Sequence, residues 1–345
     1  MSLTFTTLAM LISTVATAAT ITTFEAPGAG TEPGKGTFPY SINTPGAIVG
    51  YYIDSSDNDH GFLRSASGAI TAINVTGAGT GSDQGTSAVG INNSGTVTGS
   101  FTDDSNVRHG FVRTASGTIT TFNVTGAGTK AEQGTSTVAI NTGGEIAGIY
   151  IDSSSSYHGF IRSSAGAITD VNVPGASTSS GQGTFVSAIN ANGAVAGSWI
   201  DPSGVEHGFI RSEAGTFTTF DAPSSSGTFA YGIDASGVTS GYYYDSSGDY
   251  YGFSRAADGA FTAINLSAGT ATFGTGINGN GAITGYGMLL GNTSYEGFTR
   301  SSSGTVTTFQ VHSKNTYGFS INNSGSVTGF VNSSTTPSVG FVLVP

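Results

Sequence analysis

The 345-residue chain contains no cysteine. That excludes disulfides, thiolate metal sites and thiol catalysis. Charge is scarce too: 9% of residues are charged and ten are basic. Lysine occurs only at Lys35, Lys130 and Lys314, and the net charge is −11. A nucleic-acid binder needs a basic footprint, and none is present. The one apolar run of note, Leu8 to Val15, is too short to span a bilayer, so no integral membrane protein is expected. Catalytic signatures are missing as well. There is no Gly-x-Ser-x-Gly elbow, no His-Glu-x-x-His and no Gly-Lys-Ser/Thr phosphate loop. The reading therefore leans away from an enzyme.

What is present is glycine, 54 residues of it, with 37% hydrophobic residues. That is enough apolar surface for a core, so disorder is not expected. The apolar run is followed by Ala16-Thr17-Ala18, a small-x-small pattern, although no lysine or arginine precedes it. Residues 1–18 read as a secretory signal peptide, and 19–345 as one domain. The expected location is secreted or extracellular.

Self-similarity is the strongest signal. Ile followed by Asn or Asp recurs at Ile42, Ile91, Ile140, Ile189, Ile233, Ile277 and Ile321, with steps of 49, 49, 49, 44, 44 and 44. Gly-Phe recurs at Phe62, Phe111, Phe160, Phe209, Phe253, Phe298 and Phe341. A threonine-rich apolar run recurs seven times, beginning with Ile21 to Phe24. Each repeat holds four short strands. Strand A ends at Ile-Asn, strand B follows a glycine turn, strand C carries His-Gly-Phe-x-Arg, and strand D is the threonine-rich run. Glycine and β-branched residues break any helical period.

Seven such units predict an all-β protein, a seven-bladed β-propeller with four antiparallel strands per blade. The chain begins with a strand D that has no A, B or C before it. It ends with A, B and C of a unit that has no D. The N-terminal strand is thus expected to close the ring by pairing in the last blade, which removes an open sheet edge. An open solenoid needs caps, and none is seen.

The pattern Gly90-Ile91-Asn92-Asn93-Ser94-Gly95, Gly99 and His109-Gly110-Phe111 resembles the extracellular HAF-type bacterial repeat family, named for a His-Ala-Phe motif. Two departures recur: Gly replaces Ala, and Arg113 stands where the family often has Trp. The resemblance runs from residue 21 to 345. It implies a secreted repeat protein and transfers no catalytic residue.

The A–B and C–D turns should share one face, and the B–C and D–A loops the other. Most acidic residues fall in B–C and D–A loops, so that face is expected to be electronegative and to favour cations or basic partners. The first four D–A connections are longer, with 18 residues between anchors against 13, 13 and 12 in the last three.

Several side-chain sets recur. Asp54, His60 and Arg64 have counterparts in Asp103, His109 and Arg113, in Asp152, His158 and Arg162, and in Asp201, His207 and Arg211. A His–Asp set suits metal binding or general-base chemistry. Four copies point instead to a structural network that pins each hairpin. The clusters Asp54, Asp57, Asp59; Asp103, Asp104; and Asp245, Asp249 are weak calcium candidates, because their ligands are oxygen alone and none matches an EF-hand loop. No other cofactor is expected. Tyr157, Trp199, Tyr250, Tyr251 and Tyr295 lie in or near the same loops and are candidates to stack on sugar rings. Departures from the repeat pattern gather in units five to seven, which makes them the expected place for a single specialised site.

The function expected from sequence is a secreted, non-enzymatic binding scaffold that uses the acidic loop face. The alternatives are a carbohydrate-binding propeller, a polysaccharide lyase or hydrolase, and a self-assembling extracellular subunit. Expected partners are a glycan or an extracellular protein, or a second copy of the chain.

Overall fold

The computed structural model describes residues 19–266, 271–288 and 294–345; the expected signal peptide lies outside them. Among the described residues there are 28 strands and no helix. No helix is long and apolar enough to cross a membrane.

The first unit shows the local logic. Strand A is Gly36–Ile42, B is Ile48–Ile53, C is Asp59–Arg64 and D is Ile70–Ile73. They pair antiparallel in sequence order. Later units begin with strands A at Gly85–Ile91, Gly134–Ile140, Thr184–Ile189, Gly227–Ile233, Ala271–Ile277 and Asn315–Ile321. The last unit takes its outer strand from the other end of the chain. Thr20–Phe24 pairs antiparallel with Thr336–Val344, from Thr20 opposite Val344 to Phe24 opposite Gly340.

Most neighbouring units meet where a residue near the start of strand C pairs in parallel with the first residue of the next strand A. Asp59 pairs with Gly85 in this way, and Ser338 with Gly36. Gly85 has φ of 118°, a region that disfavours side chains. A Cβ there would overlap the Asp59 carbonyl, so the junction requires glycine. The bridges chain the units into sheets of 16 and 12 strands.

The core lies between units. All seven phenylalanines of the Gly-Phe anchors are fully buried. Around Phe111, for example, Val49 and Ile73 of one unit pack with Ala88, Val97 and Phe101 of the next. Arginine follows two residues after each phenylalanine except the last. Arg64 stacks over Phe24 at 4.8 Å and Arg255 over Phe220 at 4.5 Å. These are cation–π contacts.

The Ile-Asn anchors also link units. The Asn43 Oδ1 atom accepts the amide of Ala47 at 2.8 Å and so closes its own turn. The Nδ2 group donates to the carbonyl of Asn92 at 3.0 Å in the next unit. The same donation runs from Asn92 to Asn141, Asn141 to Asn190, Asn190 to Asp234, Asn278 to Asn322, and Asn322 to Asn43. One link is missing. Asp234, 5% exposed, holds its own turn through Oδ1 but has no N–H to give Asn278. Asp234→Asn should supply that bond and stabilise the fold by about 1 kcal/mol. Urea unfolding of both chains checks this, and an unchanged or lower midpoint would refute it.

Candidate functional site

The strands A converge on one cavity of about 380 Å³, lined among others by Tyr40, Val89, Val138, Ser187, Tyr231 and Phe319. A separate space of about 240 Å³ is lined by the Ile-Asn anchors at the A–B turns. The mouth of the first cavity faces the B–C and D–A loops, where strands A begin. Alternation decides what points inward. In Gly36–Ile42, Phe38 and Tyr40 share a side, while Thr37 points the other way and its Oγ1 accepts the amide of Ala26 at 2.9 Å.

Aromatic rings are not spread evenly around the cavity. They form one continuous wall contributed by units five, six, seven and one. Tyr242 packs edge-on to Phe273 at 5.0 Å, and Phe273 stacks on Tyr286 at 5.0 Å. Tyr286 meets Tyr317 at 4.9 Å, Tyr317 meets Phe330 at 5.0 Å, and Phe330 meets Phe38 at 5.1 Å. Phe38 stacks on Tyr51 at 5.1 Å. Each end of the wall repeats one device. Tyr40 packs on Tyr51 at 5.7 Å, and Tyr231 stacks on Tyr242 at 5.5 Å. Tyr40 and Tyr231 are 37% and 40% exposed although they lie deep in the protein, because they face the cavity. Burial raises the pKa of Tyr40, Tyr51 and Tyr242 above the usual phenol value, and that of Tyr286 to about 12. These phenols therefore stay protonated and available as donors.

Units two, three and four line the cavity with smaller side chains, among them Val89, Val138 and Ser187. Another space of about 410 Å³ adjoins this cavity at Tyr40 and Val89 and is lined by Ser87, Ser100, Ser136, Asp59 and Arg108. Asp59 accepts a bond from Ser87 Oγ at 3.3 Å. Burial, with a smaller contribution from the neighbouring Asp83, pushes its carboxyl up to about 6. The folded state thus holds the Asp59 proton more tightly than the unfolded chain. Ionised Asp59 costs stability above about pH 6, and the cost disappears below about pH 4. Asp59→Asn should therefore raise the unfolding free energy by about 2 kcal/mol at pH 8 and by little at pH 4. Denaturant titrations at the two pH values test this; an equal effect at both would refute it.

The aromatic residues singled out from sequence do not share one surface. Tyr250 lies at the cavity mouth against Phe273 at 5.3 Å, and Tyr295 against Tyr286 at 5.6 Å. Tyr157 packs on Phe185 at 4.6 Å, away from the wall. Trp199 and Tyr251 point to the opposite side of their strands. Trp199 stacks on His207 at 4.8 Å and Tyr251 on Tyr243 at 5.2 Å. Consecutive strand residues such as Tyr250 and Tyr251 cannot face the same way.

The His–Asp sets sit in that second layer. Asp54 Oδ1 accepts the amides of Ser56 at 2.7 Å and Asn58 at 3.1 Å, while Oδ2 lies 3.1 Å from His60 Nε2. Burial works upward, but those amides and the His60 ring together hold the Asp54 carboxyl below the usual range. His60 Nδ1 reaches Asn74 at 3.0 Å, and the ring stacks on Tyr52 at 4.9 Å. The other sets repeat the contact, with His109–Asp103 at 3.1 Å, His158–Asp152 at 3.2 Å and His207–Asp201 at 3.7 Å. In unit five the Tyr251 hydroxyl reaches Asp245 at 3.3 Å in place of histidine. Arg113, Arg162 and Arg211 begin the C–D turns at the far end of strand C.

The acidic clusters do not converge. Asp57 pairs with Lys35 at 3.1 Å. Asp103 and Asp245 bind their own turn amides, as Asp54 does. Asp104 and Asp249 are exposed. Among the described residues no three His, Cys, Asp or Glu are placed to hold a metal ion.

No protein-family model and no curated protein sequence matches the chain. Solved structures do. A streptogramin B lyase is 13% identical, with 95% of this chain and 98% of that chain covered and a TM-score of 0.57. Virginiamycin B lyase from Staphylococcus aureus gives 12%, 95%, 99% and 0.59. The BP39L lectin from Burkholderia pseudomallei gives 10%, 93%, 100% and 0.50. The chain thus has an all-β, β-propeller-like architecture. Two lyases and a lectin share it, so the fold by itself selects no function.

Proposed function

We propose that the protein is a secreted, non-enzymatic carbohydrate-binding propeller whose ligand sits in the central cavity. Its seven units are read as seven blades, closed into a ring by Thr20–Phe24, within one domain of residues 19–345 preceded by a signal peptide. The acidic loop face expected from sequence to bind partners forms the rim of this cavity.

The supporting observation is an aromatic wall that adjoins, at Tyr40, a space lined by hydroxyls. A sugar ring presents an apolar C–H face and a rim of hydroxyls. It needs an aromatic face on one side and hydrogen-bond partners on the other. Tyr40, Tyr231 and Phe319 offer the first, and Ser87, Ser100 and Ser136 the second. The His–Asp sets recur, hold turns and lie outside the cavity, so their role is read as structural.

The test is a broad glycan array probed with the mature chain, with calcium and with EDTA. Selective, saturable binding is expected in both conditions. Tyr40→Ala combined with Tyr231→Ala should weaken it at least about 30-fold, the cost of losing about 2 kcal/mol of contact. Each ring also stacks on a neighbour, Tyr40 on Phe319 and Tyr231 on Tyr242, so a modest loss of stability is expected, and thermal unfolding of the variant checks that it stays folded during the binding measurement. Binding that survives the double substitution would move the site elsewhere. No binding to any glycan would remove the carbohydrate reading, and loss in EDTA would restore calcium.

A further inference from the structure

The charges around the cavity carry the reading one step further. Each end of the aromatic wall has a half-buried carboxylate beside its tyrosine pair. Asp59 lines one space with Tyr40 and Tyr51, and Glu206 pairs with Gly227, which itself pairs with Tyr244. Both stand at the first position of a strand C, one unit's bridge to the next strand A. Burial raises the pKa of Glu206 as it does that of Asp59.

Neither carboxylate has a lysine or arginine partner among the described residues. The basic side chains at this mouth are already engaged. Arg108 is bound to Glu132 at 3.0 Å, and Lys35 to Asp57 at 3.1 Å. The aromatic cavity's lining contains no basic residue, while the adjoining space that holds Asp59 also holds Arg108, paired with Glu132. A desolvated anion without a counter-charge is unfavourable, and a bound cation relieves it. The ring faces of Tyr40, Tyr231 and Tyr250 are exposed at the same place, and aromatic faces attract cations. The net charge of −11 draws positive ligands to the mouth.

We propose that the ligand carries a protonated amine on a flat, partly apolar body, with Asp59 and Glu206 as its counter-ions and the tyrosine wall as its platform. This rests on the central-cavity reading. Amino sugars have this chemistry, and so do non-sugar organic ammonium compounds.

Isothermal titration calorimetry of the mature chain at pH 7.5 separates the cases. The probes are a fully deacetylated glucosamine tetramer, its N-acetylated neutral counterpart and benzyltrimethylammonium. The deacetylated tetramer should bind at least about tenfold more tightly than the neutral one, and its affinity should fall as salt rises from 50 to 500 mM. Asp59→Asn with Glu206→Gln should abolish that preference, while Asp104→Asn on the exposed loop should leave it intact. Equal binding of both tetramers, unaffected by salt, would overturn the proposal and leave the carbohydrate reading standing. Carboxylate-dependent binding of benzyltrimethylammonium alone would support the cation and remove the sugar. No binding of any probe would overturn both. The salt series uses the unaltered protein, so the proposal can fail even if the double variant does not fold.

Discussion

A chain that begins at Glu25 should be less stable by about 5 kcal/mol and should melt roughly 10 °C lower. Removing Thr20–Phe24 takes away all five residue pairs along Thr336–Val344. It also removes Phe24, which packs edge-on against the fully buried Phe62 at 6.1 Å and lies under the Arg64 guanidinium. Phe24 is half-buried, so its loss costs less than the roughly 3–5 kcal/mol of a fully buried phenylalanine, and the lost strand pairing adds to it. Arg64, buried and held otherwise by a 3.3 Å bond to the Ser65 carbonyl, would lose its cation–π partner. The Thr336–Val344 strand would become an open edge, so the truncated chain should also associate as concentration rises. Calorimetry together with sedimentation at several concentrations checks both effects. A truncated chain that melts like the full one would show that the terminal strand is dispensable, and with it the proposed closure.

The second large effect is expected from one added methyl group. Gly99 lies in strand B where it crosses strand A. A Cβ there would overlap the Ser87 carbonyl and come within 2.5 Å of the Phe111 ring. Both neighbours are fixed, one as backbone and one as a fully buried ring. Gly99→Ala should cost about 3 kcal/mol, the upper part of the usual range for overpacking. Gly148 and Gly285 meet the same two obstacles, a strand A carbonyl and the ring of Phe160 or Phe298, and should behave alike. As a contrast, a Cβ on Gly175 meets nothing within 4 Å, although its φ of 89° still strains a side chain. Gly175→Ala should therefore cost about 1 kcal/mol. Urea unfolding of the four alanine variants tests the order. Equal losses at Gly99 and Gly175 would mean that backbone conformation, not space, sets the requirement.

Asp59 connects stability with binding. Its ionised carboxylate costs stability in the folded chain, and the same carboxylate is the proposed partner of a cationic ligand. Asp59→Asn is expected to strengthen the fold and weaken binding, as residues kept for function often do.

Much of the fold could be read from spacing alone. The Ile-Asn, Gly-Phe and threonine-rich anchors recur because each unit solves the same local problem. Asn or Asp must cap a turn, glycine must let two backbones meet, and phenylalanine must fill the space between neighbours. Such requirements act over a few residues, so they leave a periodic trace. The His–Asp contacts were readable for the same reason, since His60 and Asp54 bracket one loop. The concentration of pattern departures in units five to seven also pointed toward the aromatic wall.

The wall itself needed the tertiary structure. Alternation along a strand shows that Phe38 and Tyr40 share a side. It does not show whether that side looks into a core or a cavity. Aromatic residues at strand positions are core by default, so nothing in the spacing singles out Tyr40, Tyr231, Tyr242, Phe273, Tyr286 and Phe319 as cavity-lining. Trp199 and Tyr251 were grouped with Tyr250 and Tyr295 because they are near in sequence, yet they point to opposite sides of their strands. The stacking of Tyr40 on Phe319 at 5.5 Å joins residues from opposite ends of the chain. The sequence by itself determined the repeating strands, their turns and their glycines, because these obey local sterics and hydrogen bonding. Only the tertiary structure decided which aromatic rings form one surface and which carboxylates stand beside them, because that depends on strands brought together from distant repeats.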